Sequence, residues 1–180
     1  AGTVVTSSNG TVWSLIAAPT THRLNHITWD GGQFFALGED GLALTSTDGQ
    51  TWTAQPLTPA VTCYGAIAAS GQVVVVGDRG TIASAPVASG PWIERAAGSR
   101  EWLHDSVWTG TQFVAVGSSG TIRTSADGVA WSSQTSGTIA HLNGVAWTGN
   151  RVIAVGDAGT VLTSSDGISW ASHPSGTSRS

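Results

Sequence analysis

The side chains best suited to chemistry include four of the five histidines. His22, His26, His104 and His141 could ligate a metal ion, but a zinc site needs three or four ligands that converge at about 2.0–2.3 Å. The spacing of these four residues matches no metal-binding motif, so we expect no metal and no cofactor. Lining of a polar, water-filled channel is the interpretation that the spacing favours.

Acid or nucleophilic catalysis also has little support in the residue pattern. Glu101 and Asp105 could form the carboxylate pair of a glycosidase, but two acids on one loop are typical of a solvated edge. Tyr64, the only tyrosine, has no acid at a matching strand position beside it. The sequence contains no Ser-His-Asp arrangement and no Gly-rich phosphate loop. We therefore expect a protein that has no catalytic residues and is not an enzyme.

Composition limits the classes of partner. The 180 residues include seven arginines and no lysine, and the net charge is -4. Nucleic-acid binding needs a basic stripe that neutralises phosphates, and the scattered arginines do not provide one. No apolar run is long enough to predict a membrane span. Cys63 is the only cysteine, which excludes an intrachain disulfide, and we expect it to be a small buried hydrophobic residue.

Regularly spaced tryptophans reveal an internal repeat. The repeated residues, 39 or 40 positions apart, are Trp13, Trp52, Trp92, Trp131 and Trp170. Three of them close the phrase Ser-x-Asp-Gly-x-x-Trp, whose acids are Asp48, Asp127 and Asp166. Asn9 replaces the acid in the first copy, and the copy ending at Trp92 has no acid and one extra residue. We interpret these residues as structural, because an Asp oxygen can accept backbone hydrogen bonds in a turn while the Trp packs on the next layer.

Each repeat is predicted to contain four short strands separated by Gly-, Asn- and Asp-rich turns. In the last repeat, strand A covers residues 142–147, strand B 151–155, strand C 160–164, and strand D begins at residue 168. A four-stranded meander that recurs about every 40 residues is typical of a β-propeller blade. We predict one all-β domain over residues 1–180, divided into a half-repeat, 1–23, and full repeats 24–62, 63–102, 103–141 and 142–180.

The Ser-x-Asp-Gly-x-x-Trp phrase resembles the Asp-box, or BNR, repeat. This repeat occurs in sialidases, in sortilin-type receptors and in the photosystem II stability/assembly factor group. The segment 113–122 is most similar to that last group and its bacterial relatives. The resemblance implies a β-propeller and says little about function, because one fold supports many unrelated sites. The sialidase arginine trio and its Phe/Tyr-Arg-Ile-Pro segment are not found.

The first half-repeat supplies only strands C and D, which makes ring closure the main structural question. We expect a five-bladed ring of four-stranded antiparallel blades in which the first blade is incomplete, closed within one chain. Additional chain or a second molecule could also complete the blade, because an unpaired strand edge invites strand addition.

One face of the predicted ring gathers the D-to-A connections and the B-to-C turns, and loops on rigid scaffolds often bind ligands. The candidate ligand-binding residues there are Arg23, Tyr64, Trp102, His104 and His141. Trp102 lies outside the repeated Trp positions, so it could stack on a sugar or contact a partner. Packing against the irregular second full repeat would also explain it, and Tyr64 could simply fill the channel mouth.

These observations predict a non-catalytic propeller, extracellular or periplasmic, that acts in protein interaction, scaffolding or assembly. Its partner would be another protein, or a second copy bound through an open blade edge. A carbohydrate-binding, lectin-like propeller is the alternative, and a degenerate glycosidase is the third possibility. Nucleic acid and a membrane span are not expected.

Overall fold

A computed structural model describes residues 2–58, 60–86 and 91–177 of the chain. The strands in these residues form five antiparallel sheets, four with four strands and one with two. The number of sheets, and the incomplete first one, agree with the sequence prediction. Residues 87–90, in the middle of the acid-free phrase that ends at Trp92, lie outside the described residues, as do the ends of the predicted domain at positions 1 and 178–180.

The strands follow one another along the chain. The first sheet contains β1 (Val4–Thr6) and β2 (Ser14–Ile16). The second contains β3 (Leu24–Trp29), β4 (Phe34–Gly38), β5 (Ala43–Ser46) and β6 (Thr53–Ala54). The third contains β7 (Cys63–Ala69), β8 (Gln72–Gly77), β9 (Ile82–Pro86) and β10 (Ile93–Arg95). The fourth contains β11 (Leu103–Trp108), β12 (Phe113–Gly117), β13 (Ile122–Ser125) and β14 (Ser132–Gln134). The fifth contains β15 (Leu142–Trp147), β16 (Val152–Gly156), β17 (Thr160–Ser164) and β18 (Ala171–Pro174).

The last sheet tests the strand predictions directly. Strand A at residues 142–147 and strand C at residues 160–164 are confirmed. Strand D was expected from Ile168 but begins at Ala171. The backbone N–H groups of Ile168 and Ser169 instead donate to Asp166 Oδ1, at 2.9 and 2.8 Å, so both residues belong to the turn.

The sheets pack face to face through the apolar side chains of their middle strands, which point in turn to one face of the sheet and to the other. Val114 and Val116 of β12 form one buried cluster with Val152 and Ala154 of β16. Comparable clusters lie between each of the other neighbouring sheets. Because a central sheet buries both faces, its second strand is apolar without alternation, as in β8, where residues 73–76 are fully buried.

The first strands of consecutive full sheets lie side by side, β3 next to β7, β7 next to β11, and β11 next to β15. They therefore surround the axis about which the sheets are arranged. Side chains join these strands across the sheet boundaries. Asn25 Nδ2 donates to the Cys63 carbonyl at 3.0 Å, and the Val145 N–H donates to Asp105 Oδ2 at 2.9 Å.

The two outermost faces are open to solvent in the described part of the chain. Trp13 is 59% exposed, whereas Trp52, at the equivalent position of the next repeat, is 7% exposed. Val155 in the last sheet is 46% exposed, whereas its equivalent Val116 is buried against the following sheet. The expectation that the last sheet closes over the first hairpin therefore needs correction. The first sheet contains only β1 and β2. Among the described residues, the main packing contacts do not join it to the fifth sheet.

Candidate functional site

The turn between the second and third strands of each complete sheet is tied to the residue just before the first strand. The Ser118 N–H donates to the Trp102 carbonyl at 2.8 Å, and the Asp157 N–H donates to the His141 carbonyl at 2.9 Å. The same bond joins Glu39 to Arg23 and Asp78 to Thr62, each at 3.0 Å. We call the surface formed by these turns and the residues bonded to them the turn face. It corresponds to the face on which the sequence places its candidate residues.

Glycine and left-handed backbone build these turns. Single turns of 3-10 helix cover residues 78–80, 118–120 and 157–159, where the sequence predicts simple turns. Ser119 and Gly120 have φ values of 54° and 68°. A Cβ at Gly120 would lie 2.0 Å from the Thr138 carbonyl oxygen, so both the dihedral angle and the close approach require glycine.

Four of the five candidate residues form one row on the turn face. The rings of Trp102 and Tyr64 stack with centroids 5.9 Å apart and an interplanar angle of 23°. His104 meets Tyr64 edge-on at 6.2 Å, and His141 follows His104 at 6.4 Å. We call these four residues, which come from the third, fourth and fifth sheets, the aromatic row. Trp102 at one end is 50% exposed.

Arg23, the fifth candidate, is not part of the row. It lies before β3 in the second sheet with an exposed side chain, and no described contact connects it to the row. Its neighbour His22 instead pairs with Asp40, with Nδ1 and Oδ2 3.1 Å apart.

Hydrogen bonds hold both histidine rings of the row. His104 Nδ1 donates to the Leu142 carbonyl at 3.0 Å, so in the neutral ring Nε2 accepts from the Ser118 hydroxyl at 3.2 Å. His141 Nδ1 accepts from the Ser119 N–H at 3.3 Å. Both nitrogens of His104 thus join strands and turns, so a ligand at this candidate residue would meet the ring face or edge unless it displaced one of these bonds.

Electrostatics makes Tyr64 and Cys63 poor nucleophiles. Burial, followed by the carboxylates of Asp78 and Glu39, raises the pKa of Tyr64. The sequence places no acid beside Tyr64 within its strand, but the turns of two sheets bring these acids close enough to act on it. Burial and Asp78 raise the pKa of the Cys63 thiol to about 12. Both groups stay protonated at neutral pH, and only the charged forms would be effective nucleophiles.

The two acids considered as a glycosidase pair are also engaged. Asp105 accepts backbone N–H groups on both oxygens, from Ser106 at 2.8 Å and from Val145 at 2.9 Å. Glu101 Oε2 accepts from the Ser119 hydroxyl at 3.2 Å. Within the described ranges, no three His, Cys, Asp or Glu side chains come together as a metal site would require. What the arrangement offers is a row of aromatic rings with a half-exposed tryptophan at one end and hydrogen-bonded histidines at the other.

The acid turns lie at the other end of the sheets. Asp127 Oδ1 accepts from the Val129 and Ala130 N–H groups at 2.8 and 2.9 Å, and from the Ser125 hydroxyl at 3.0 Å. These bonds lower the pKa of Asp127, and the two backbone N–H groups have the largest effect. The same pattern surrounds Asp48, whose pKa is about 2. Asn9 Oδ1 accepts the corresponding N–H groups of Thr11 and Val12, both at 2.9 Å.

Asp127→Ala is expected to lower the free energy of unfolding by about 1 kcal/mol, because it removes these turn hydrogen bonds at an exposed site. A lowered pKa in the folded state gives stability that is present above the unfolded pKa near 4 and lost as pH falls towards the folded value. Asp127→Asn should keep most of the stability at pH 7, as Asn9 does in its own turn, and should weaken the loss below pH 4. Urea unfolding at pH 7 and at pH 2.5 measures both effects. Equal losses for the Ala and Asn variants at pH 7 would contradict the role of the oxygen as acceptor.

The sheets are successive four-stranded antiparallel meanders that stack face to face, and their first strands surround a common axis. This arrangement defines a β-propeller. In this protein the aromatic row lies on the turn face of the propeller. The propeller predicted from the repeat is thus confirmed. No helix among the described residues is long and apolar enough to cross a membrane.

Several solved structures are similar to this chain in fold, although their sequence identity to it is low. YCF48 from Cyanidioschyzon merolae is 14% identical with a TM-score of 0.70, over 97% of this chain and 64% of that one. YCF48 bound to D1 peptide is 20% identical with a TM-score of 0.65, over 91% and 57%. The computationally designed Ika8 protein is 14% identical with a TM-score of 0.72, over 87% and 51%. This chain thus spans less than two thirds of each, and the likeness concerns the fold.

No protein-family model matches the sequence, and no curated protein sequence matches it.

Proposed function

We propose that this protein is a non-catalytic, extracytoplasmic β-propeller that binds a protein partner on its turn face, in an interaction, scaffolding or assembly role. The observation that carries the proposal is Trp102, which is half exposed, stacks on Tyr64 and occupies a position where the repeat requires no tryptophan. Exposed tryptophan and tyrosine side chains are frequent anchors of protein interfaces.

The position of Trp102 is fixed before any partner arrives. Its carbonyl accepts from Ser118, and its ring lies against Tyr64 of the preceding sheet. A side chain that is already ordered loses little conformational entropy on binding, so more of the contact energy contributes to affinity. β11 begins directly after Trp102 and packs beside β7, which contains Tyr64, so both rings are attached to neighbouring strands.

A protein of similar fold offers a precedent for this proposal. One similar structure is YCF48 bound to D1 peptide, so a propeller similar to this one binds a peptide. We extend to this chain only the class of partner, a polypeptide. The assignment of the acid turns as Asp-box repeats is part of the proposal, and so is a location outside the cytoplasm, which fractionation of cells that produce the full-length protein would test.

Selection from a random peptide library tests the proposal. Peptides enriched on the wild-type protein should bind the Trp102→Ala variant at least thirtyfold more weakly, the usual effect of a hot-spot residue. Trp29→Ala is the matched control, because Trp29 is similarly exposed on β3 but away from the aromatic row. Equal losses in the two variants, or no enrichment, would contradict a turn-face site. Binding to a glycan array that depends on Trp102 would favour the lectin-like alternative.

Hydrolysis of sialosides and aryl glycosides is expected to be undetectable from acid to neutral pH. Tyr64 stays protonated, and Asp105 already accepts two backbone hydrogen bonds. Fluorogenic substrates measure the activity, with Tyr64→Phe and Asp105→Asn as controls for a contaminating enzyme. Turnover by the wild-type protein that either substitution abolishes would show that the protein is a glycosidase.

The open faces of the end sheets offer a second contact region in this proposal. Exposed apolar residues there include Val5, Trp13, Leu15 and Val155. Exposed apolar surface of this kind marks interaction sites. Self-association through the open blade edge would be detected as a molar mass that rises with concentration in light scattering.

A further inference from the structure

Arg123 on β13 is a buried cation at a position that is apolar in the other complete sheets. The equivalent residues there are Leu44, Ala83 and Leu162, and all three are buried. Arg123 itself is only 9% exposed. Removal of a cation from water is unfavourable unless an anion or several hydrogen bonds replace the lost hydration. The groups around Arg123 therefore decide whether its charge is compensated.

The protein compensates this charge only in part. Arg123 Nη2 donates to the Gly98 carbonyl at 3.1 Å, and the buried Nε meets no acceptor among the described residues. All eleven Asp and Glu residues lie in the part of the chain that the structure describes, and none of them forms a salt bridge with Arg123. Arginine keeps its proton in proteins, so the guanidinium remains a cation with unused hydrogen-bond donors.

Arg123 lines a polar cavity at the border of the turn face. The cavity is open to solvent and has a volume of about 660 Å³, within the range of roughly 300–1,000 Å³ that is usual for small-molecule sites. Its walls are residues 119–121 and 133–139. Apart from glycine and Ile139, the wall residues are Ser, Thr and Gln, so Arg123 is the single charged residue in the described lining. We call it the Arg123 cavity.

The polar groups of the walls differ from one end of the cavity to the other. Ser133 lies directly opposite Arg123 in the pairing of β13 with β14. Ser133 and Thr135 are exposed, and neither hydroxyl has a hydrogen bond among the described residues. At the other end, the Ser119 hydroxyl donates to Glu101 Oε2 at 3.2 Å. Because the carboxylate of Glu101 repels anions, an anion would bind at the end near Arg123 and Ser133.

We propose that the Arg123 cavity binds the carboxylate group of a small polar ligand. The planar guanidinium presents N–H groups in a fork that matches the two oxygens of a carboxylate. The hydroxyls of Ser133 and Thr135 would bind the polar remainder of the ligand. The low exposure of Arg123 strengthens the attraction, because little water screens it. This site goes beyond the proposed function, since it takes a different ligand and uses no residue of the aromatic row.

Two pairs of probes test the chemistry of the ligand and its source. D-glucuronate is compared with D-glucose, and acetyl-aspartate N-methylamide with acetyl-asparagine N-methylamide, so that only one member of each pair carries a carboxylate. The Nε–H signal of Arg123 in ¹⁵N NMR spectra should shift saturably with the acid of at least one pair and not with its neutral partner. Saturation by glucuronate would identify a free hydroxy acid as the ligand, and saturation by the aspartyl compound an acidic side chain.

Two results of these titrations would contradict the proposal. If neither acid shifts the Arg123 signal saturably, the cavity is not a carboxylate site. If inorganic phosphate binds more tightly than both acids, the assignment to a carboxylate is wrong.

Arg123→Leu introduces the residue found at the equivalent positions Leu44 and Leu162. It should keep or raise the melting temperature, because it removes a buried charge that the protein compensates only in part. It should also weaken binding of the acid at least tenfold in calorimetry, since the guanidinium supplies the charge-assisted hydrogen bonds. Unchanged affinity in Arg123→Leu would overturn the inference.

β14 offers a matched pair of variants that leave Arg123 in place. Ser133 lies opposite Arg123, whereas Ser132 lies opposite Thr124 and outside the cavity lining, and both serines are exposed. Ser133→Asp places a carboxylate beside the guanidinium, so it should raise the melting temperature and weaken binding of the acid at least tenfold. Ser132→Asp should do neither. Equal affinity of the two variants for the acid would show that the ligand does not bind at Arg123.

Trp102→Ala separates this site from the aromatic row. Trp102 is not in the cavity lining, so its replacement should leave binding of the acid unchanged. Failure of the peptide selection at the turn face would therefore not affect the result. Loss of acid binding in Trp102→Ala, with full binding in Ser133→Asp, would place the carboxylate at the aromatic row and overturn the inference.

Discussion

Gly117→Ala is expected to lower the free energy of unfolding by roughly 3–5 kcal/mol, at the upper end of single substitutions. The φ of Gly117 is -171°, an extended value that alanine adopts freely, so backbone strain is not the cause. The cause is space, because a Cβ there would lie 1.9 Å from the Trp102 carbonyl oxygen and 2.8 Å from Leu103 Cα. Both are backbone atoms, so β11 and β12 would have to separate where they meet.

The same substitution should also remove binding at the turn face, because Trp102 is displaced together with its carbonyl. Urea unfolding and binding of the selected peptides measure the two effects. Gly32→Ala is the control, since its Cβ would meet no atom closer than 3.6 Å, and it should change stability by no more than about 0.5 kcal/mol. Comparable stability of Gly117→Ala and Gly32→Ala would show that the strands do not approach as closely as the structure has them.

Phe113→Ala should cost about 3–5 kcal/mol, as expected for a buried aromatic residue replaced in a packed core. Phe113 is fully buried, and its ring centroid lies 4.5 Å from that of Trp108 and 6.3 Å from that of Trp131. It packs in the cluster between the third and fourth sheets together with Val74 and Val76. Truncation leaves a cavity that two tryptophans and a rigid strand cannot fill by relaxing.

The repeat provides the comparison for Phe113. Phe34 has the same position in the second sheet and the same aromatic neighbours, with Trp29 at 4.4 Å and Trp52 at 6.3 Å. It faces only the incomplete first sheet and is partly exposed, so Phe34→Ala should cost less than Phe113→Ala. Thermal unfolding of the two variants, with Ile139→Ala as an exposed control, measures the difference. Equal losses at the two positions would mean that the incomplete sheet covers its neighbour as well as a complete one does.

The sequence predicts those parts of the fold whose signals are local. Asp166 and Trp170 mark one turn and its following strand, and Leu142–Trp147 reads as a strand because its residues and bounding turns are typical of one. The late start of the fourth strand, at Ala171, was missed because hydrogen bonds to Asp166 extend the turn beyond its glycine.

The candidate site was only partly accessible to such reasoning. Equivalent positions in the repeat placed Tyr64, Trp102 and His141 on one face. Which rings touch depends on how neighbouring sheets are offset, and no local pattern reports that offset. The left-handed backbone of Ser119 was equally unforeseen, because a non-glycine residue with positive φ carries only a weak sequence signal.

Arg123 departs from the repeat, which predicts an apolar side chain at its position. It stands where other sheets have Leu44 and Leu162, and it is buried between the third and fourth sheets. Its guanidinium donates to the Gly98 carbonyl at 3.1 Å, and burial lowers its pKa. No carboxylate pairs with it in the part of the chain that the structure describes. The irregular loop of the third sheet, rather than the repeat, supplies its partner.

Each sheet packs only on the sheets next to it, and this arrangement determines which parts of the molecule unfold locally. Stability in such an array is approximately a sum of the intrinsic stability of each unit and the coupling between nearest neighbours. The β1–β2 hairpin has the weakest unit and a single coupling, so it should fray on its own, with amide exchange much faster than in β8 and β12. Those central strands exchange only when two couplings break together, so they report on cooperative opening. The molecule thus contains a gradient of local stability that runs inward from its ends.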